Sequence, residues 1–299
     1  MTLKERLRAR APANIPSSGV LGYRWCDLTF PLPISLALNV FSAVAPWRPM
    51  RDPVVADFSR SAFGLTGSAL REWYTEAWWG HHANTACYNR ILTPGREDEV
   101  LALVQPVDWG PFEALLRRKQ GVIVASCHLG ITGLIPRLFS RSGRPMLKLY
   151  HAQDFQHPMV ETPPNFGRLD YARLYLRCLA HLREGGRVSV TSDSPANNSD
   201  CSLPCCGRDI RVSLGSAVLA RISGAPVLPG AALWDGDRIR VQFGPPIQPG
   251  ATDAAAWDRE WMRQYLDWME NLLRDNPRAM QFHHYLPWLE ATAKARQAA

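Results

Sequence analysis

The chain of 299 residues predicts an α/β fold: a mostly parallel open sheet flanked by helices, preceded by an N-terminal helical segment. Three observations carry this. The first 95 residues have apolar positions at helical rather than strand spacing. From about residue 97 the pattern alternates between helical stretches and short apolar runs, as a parallel sheet with crossover helices requires. The run "GVIVASC" (121–127) is rich in β-branched residues without polar alternation, as a strand buried on both faces should be.

Taken in order, "FPLPISLALNVFSAVAPW" (30–47) is the most apolar early segment. Its prolines at 31 and 33 leave an uninterrupted part too short to span a bilayer. In "SALREWYTEAWWGHHANTACYNRIL", Leu70, Trp73, Tyr74, Ala77 and Trp78 fall on one helical face. That face is either core or an aromatic edge for lipid or acyl chain, and the pattern does not separate the two. "REDEVLALVQ" and "WGPFEALLRRKQ" read as helices and "PMLKLY" (145–150) as a second strand. "YARLYLRCLAHLREGG" (171–186) reads as a helix stopped by a double glycine. "RVSVTSD" reads as a strand ending at Asp193, "GSAVLARISG" as a helix, and "APVLPGAALW" and "RIRVQFG" as strands. "AAAWDREWMRQYLDWMENLLRDNP" is an amphipathic helix closing at Asn276-Pro277. The preferred division is one continuous domain, with residues 1–95 as a helical lid or acyl-facing segment and 96–299 as the α/β core.

A net charge of +7 comes from basic residues scattered among acids rather than gathered in a tract. Such a balance suits anionic lipid, a phosphate-bearing co-substrate or an acidic carrier protein, and no nucleic-acid motif accompanies it. Seven cysteines do not read as a disulfide framework, which points to a reducing cytoplasm. Cys201, Cys205 and Cys206, with Cys178 upstream, lack paired C-x-x-C spacing, so no metal site and no bound cofactor is expected. The basic N-terminus has no apolar stretch directly behind it and does not read as a signal peptide.

Ligands of open α/β sheets sit beyond the carboxyl ends of the strands. Two stretches end strands there: "ASCHLG", with His128, and "TSDSPANNSD", with Asp193. A histidine in one and a carboxylate in the other offer a proton acceptor and a group to orient it.

Four stretches, "VIVASCHLG", "LREGGRVSVTSDS", "LPCCGRDIRVSLGSAVLARISGAPVLPGAALW" and "NPRAMQFHHYLPW", resemble the lysophospholipid acyltransferase superfamily. Within it the branch most similar is that of bacterial lipid A biosynthesis lauroyl/myristoyl acyltransferases and related mannoside acyltransferases. The resemblance implies transfer of an acyl group from an acyl-CoA or acyl-carrier-protein thioester to a hydroxyl or amine, on a lipid or a specialised metabolite. It also implies a cytoplasmic setting, with or without peripheral membrane contact. His128 matches the His of the H-x-x-x-x-D/E motif as general base, but Gly133 stands where the acid belongs. Asp193, aligned with the aspartate of a strand-end D-Q pattern whose Gln is here Ser194, is the first candidate to replace the acid. Thr132 is the second, and Asp154, Glu161 and Asp170 are further acids in a loop region. The resemblance implies a donor or head-group site lined by Gly130, Gly133, Gly207, Arg208, Arg211 and Ser213, with the two arginines toward phosphate. Pro136 is expected in the first turn of a helix beginning near Leu134 or Ile135, leaving 129–133 as a loop. A covalent route through Cys127, a silent acyl-binding accessory protein and a thioester hydrolase are the alternatives. His283 and His284 read as structural or surface residues.

Overall fold

The computed structural model describes residues 28–47, 53–117, 121–144, 146–149, 168–193 and 201–282. Three helices come first: α1 (Ile34–Val44), α2 (Pro53–Phe63) and α3 (Gly67–Ile91). Short helices α4 (Glu97–Leu101) and α5 (Gly110–Leu116) lead into the sheet. There follow β1 (Val122–Ser126), α6 (Leu134–Arg141), β2 (Leu147–Leu149), α7 (Arg168–Arg183) and β3 (Arg187–Thr191). The chain continues through β4 (Ser202–Cys205), β5 (Arg208–Arg211), α8 (Gly215–Ser223), β6 (Val227–Asp235) and β7 (Arg238–Phe243). It closes with α9 (Ala254–Asp275) and a 3₁₀ turn, Pro277–Ala279.

Five strands form one sheet in the order β2-β3-β1-β6-β7. Pairings β2–β3, β3–β1 and β1–β6 are parallel. The edge pair β6–β7 is antiparallel, because two residues, Gly236 and Asp237, join the strands and a parallel return would need a long crossover. Residues Val122 to Ala125 of the central strand are buried, which is why this strand reads as a β-branched run. Strands β4 and β5 form a separate hairpin that the apolar pattern does not predict.

One hydrophobic core runs from Ile34 in α1 to Met280, and the N-terminal helices share it with the sheet. The aromatic face of α3 is core: Trp73, Tyr74 and Trp78 are buried, and the rings of Trp79 and Trp234 of β6 meet in a T-shaped contact. Arg90, at the end of α3, is fully buried with its donors satisfied by Ala86 O (3.0 Å), Thr29 O (3.2 Å), Leu32 O (2.7 Å) and Glu99 (3.2 Å). Burial is the main force lowering its pKa, yet a guanidinium with this many acceptors keeps its charge and ties the N-terminal segment to α3 and α4. Among the described residues no helix is long and apolar enough to cross a membrane.

Helix α9 begins with Asp253 capping Ala256 N–H at 2.9 Å and lays Trp261, Tyr265, Met269 and Leu272 into the core. Its packing on α8 is fixed by Arg221, whose Nε and Nη2 reach the two oxygens of Asp258 at 2.8 and 2.9 Å.

Candidate active site

Register brings His128 and Asp193 together. In the parallel pair β1–β3, Ser126 lies opposite Thr191, so the residues two further along each chain leave the same sheet edge side by side. From β1 the chain proceeds to β2 and β3 on one flank and later to β6 on the other. His128 therefore stands at a topological switch point, beyond the strand's carboxyl end.

The Asp193 carboxylate holds His128 by two bonds. Oδ2 accepts from the His128 backbone N–H at 2.7 Å, and Oδ1 lies 2.8 Å from Nδ1. A carboxylate that accepts the backbone N–H on one oxygen presents an acceptor to Nδ1 on the other, so the contact assigns the tautomer as Nδ1–H and leaves Nε2 as the basic nitrogen. The imidazole is 12% exposed while the Asp193 side chain is fully buried, which leaves the ring as the accessible end of the pair. Behind them, Tyr265 Oη donates to Ser126 O at 2.6 Å and Ser192 N–H donates to the same carbonyl at 3.1 Å. Ser192 Oγ donates to Ser216 Oγ at 3.0 Å, tying the Asp193 strand end to α8.

The loop after His128 is stitched in place. Gly130 N–H reaches Ala279 O at 2.7 Å and Ile131 N–H reaches Ala232 O at 2.9 Å. Gln281 Nε2 donates to Gly130 O and, at 3.0 Å, to Thr132 Oγ1. Helix α6 starts at Leu134 with Pro136 in its first turn, and residues 129–133 form the loop expected from Gly133 and Pro136.

Several expected site residues have other positions. The group on His128 Nδ1 is Asp193, so Thr132 is not the orienting partner; its hydroxyl belongs to the Gln281 clamp. Arg208 is buried and bound to Asp57 of α2 at 2.6 Å, which corrects its assignment as a phosphate-facing cation. Gly207 serves the β4–β5 turn against α2, where a Cβ would lie 2.8 Å from Ser61 O. Arg211 and Ser213 are exposed, and Ser213 Oγ accepts from Gly215 N–H at 3.3 Å. Asp170 lies in α7; Asp154, Glu161, Ser194, His283 and His284 fall outside the described residues. Tyr265 and Gln281 join the site without a sequence signal. Tyr265 reads as one more apolar position of α9, and nothing local marks Gln281.

No protein-family model matches the chain, and no curated protein matches it.

Cys127 is buried beside the site, and burial, followed by the charge of Asp193, pushes its thiol well above the ordinary range. A thiol kept protonated is a poor nucleophile. For the acyl transfer that the sequence resemblance implies, Cys127→Ala is expected to keep the rate within about threefold of wild type in a thioester assay; loss of about a hundredfold or more would make the thiol part of the chemistry.

Gly133, where the resemblance expects an acid, has φ +81°, in the left-handed region that disfavours an L side chain. Gly133→Asp is expected to lose about 1 kcal/mol in denaturant titration and to gain no rate, because Nδ1 is already engaged. A faster variant would contradict that assignment.

Proposed function

We propose that this chain is an acyltransferase that moves an acyl group from an acyl-CoA or acyl-carrier-protein thioester to a hydroxyl or amine. The observation that carries the reading is the Asp193–His128 pair, with Nδ1 held at 2.8 Å and the ring the less buried partner. Resemblance of the strand-end motifs to the lysophospholipid acyltransferase superfamily supports the choice of thioester chemistry.

In this reading His128 Nε2 takes the proton of the acceptor O–H or N–H as that atom attacks the thioester carbonyl. Asp193 stabilises the imidazolium that forms. The tetrahedral intermediate collapses with cleavage of the C–S bond. The imidazolium then returns its proton to the leaving thiolate, which restores the starting base. Gly133 in place of the family's acid is no obstacle here, since a carboxylate from the neighbouring strand end performs the orienting task.

The test is release of free thiol from acyl-CoA and acyl-carrier thioesters of several chain lengths, with and without hydroxyl and amine acceptors, against a His128→Ala control. Acceptor-dependent release supports transfer. Release without acceptor makes the protein a hydrolase, and release no greater than the control's, across those donors, favours a silent acyl-binding protein.

Peripheral membrane contact belongs to the same proposal. Leu28, Leu36 and Trp47 on the N-terminal segment are exposed at 68%, 47% and 85%, on a chain of net charge +7. The protein is expected to sediment with vesicles containing anionic lipid, less so as Trp47→Ser; equal recovery in the supernatant with and without vesicles would exclude the contact.

A further inference from the structure

The β4–β5 hairpin closes through a two-residue turn, Cys206-Gly207, since Cys205 pairs with Arg208. Both turn residues have positive φ, +53° and +69°, as in a type I′ turn. Glycine suits its position; the first favours Asn, Asp or Gly, and a cysteine there adopts the left-handed conformation against the crowding of its own Cβ. Cys206 is the one non-glycine residue with positive φ among the described residues. Its side chain is not turned to solvent, as a turn-tip side chain ordinarily is: Cys205 and Cys206 are both buried, with their Sγ atoms 3.8 Å apart.

A third donor comes from another element. Glu270 of α9 accepts the Cys206 backbone N–H on Oε2 at 2.6 Å and an Arg274 N–H on Oε1 at 3.0 Å, which fixes its carboxylate beside the thiols. One ligand atom from each of Cys205, Cys206 and Glu270 lies within 4.8 Å of the others.

We propose that Cys205, Cys206 and Glu270 bind a thiophilic divalent cation of the zinc class. Metal–sulfur bonds of about 2.3 Å at a tetrahedral ion place two sulfurs about 3.8 Å apart, and a carboxylate oxygen at about 2.0 Å lies roughly 3.5 Å from each sulfur. The sulfur spacing is already that of the bound state, and the carboxylate oxygen, which lies within 4.8 Å of both sulfurs, has at most about 1.3 Å to close to complete the set. Water supplies the fourth ligand. On binding, both thiols lose their protons to solvent and form metal–thiolate bonds. The ion joins the hairpin to α9.

The proton-balanced step needs no oxidant, and its test needs no enzyme activity. Reduced, chelator-treated protein is titrated with Zn²⁺ against a chromophoric competitor, and separately with Co²⁺. One equivalent is expected to bind, with a near-ultraviolet thiolate-to-cobalt band and release of about two protons per ion. Cys206→Asn is the decisive variant: asparagine suits the backbone of the turn, an unchanged far-ultraviolet circular dichroism spectrum shows that the metal-free fold is kept, and zinc affinity falls roughly a hundredfold or more. Glu270→Gln is expected to weaken binding with the cobalt band retained, and Cys178→Ala, on α7, to leave binding unchanged. Equal affinity in wild type and Cys206→Asn would assign the ion to other cysteines and overturn the proposal. So would absence of one-equivalent binding by the reduced protein at micromolar zinc.

Discussion

Asp193→Asn is expected to lower the rate of the proposed acyl transfer by about ten-thousandfold while the fold persists, which is the size of effect seen when the orienting acid of a Ser-His-Asp triad becomes an amide. The geometry sharpens the reason. Asp193 accepts two hydrogen bonds from one residue, the His128 N–H at 2.7 Å and Nδ1–H at 2.8 Å. An asparagine has one acceptor oxygen and one donor amide, so it cannot satisfy both. If its oxygen keeps the backbone N–H, the amide faces Nδ1 and forces the proton onto Nε2, the atom that must accept one. If it turns the other way, two N–H groups meet and the loop loses its anchor.

A second readout separates orientation from structure. Ring ¹⁵N shifts of His128 are expected to report Nδ1–H in wild type and Nε2–H in Asp193→Asn, with far-ultraviolet circular dichroism unchanged. An unchanged tautomer with unchanged turnover would remove Asp193 from the mechanism. An unchanged tautomer with lost turnover would leave Asp193 the task of stabilising the imidazolium alone.

How much of this is legible in the sequence follows from how local each feature is. The strands that end at Ser126 and Thr191 announce themselves because burial on both faces selects β-branched residues. Their side-by-side placement is a property of topology, yet strand-end residues on a parallel sheet share one edge, so His128 and Asp193 can be nominated together. The hairpin escapes the pattern. Its burial alternates, with Leu203, Cys205, Arg208 and Ile210 inward, but one inward position is an arginine, which a hydropathy pattern scores as outward. Asp57, 151 residues earlier in the chain, makes that inward position tenable. The expectation that Arg208 faces phosphate fails for the same reason: a surface cation and a buried paired one look alike until the partner is placed. Gln281 is still less legible, since its amide is defined by contacts about 150 residues away, and glutamine carries no pattern of its own.

Gly130→Ala is expected to be among the most damaging single substitutions near the site, losing about 3 kcal/mol or more and removing activity with it. Two effects add. The residue has φ +68°, where an L side chain costs about 1 kcal/mol. In addition, an alanine Cβ would stand 2.1 Å from Ala232 O, the same carbonyl that accepts Ile131 N–H. Relief by moving that carbonyl breaks the Ile131 bond. Moving the loop instead breaks Gly130 N–H to Ala279 O and the Gln281 contacts, and carries His128, two residues away, off its partner. Gly224→Ala supplies the control, because Gly224 has φ +69° and an alanine Cβ there would meet nothing within 4 Å. It should lose only the conformational part, about 1 kcal/mol in urea titration, and retain turnover. A difference of about 2 kcal/mol or more between the two variants measures the contact between the His128 loop and β6. Equal losses would mean that the β6 carbonyl yields freely, and that the rigidity of the base depends on the Asp193 clamp alone.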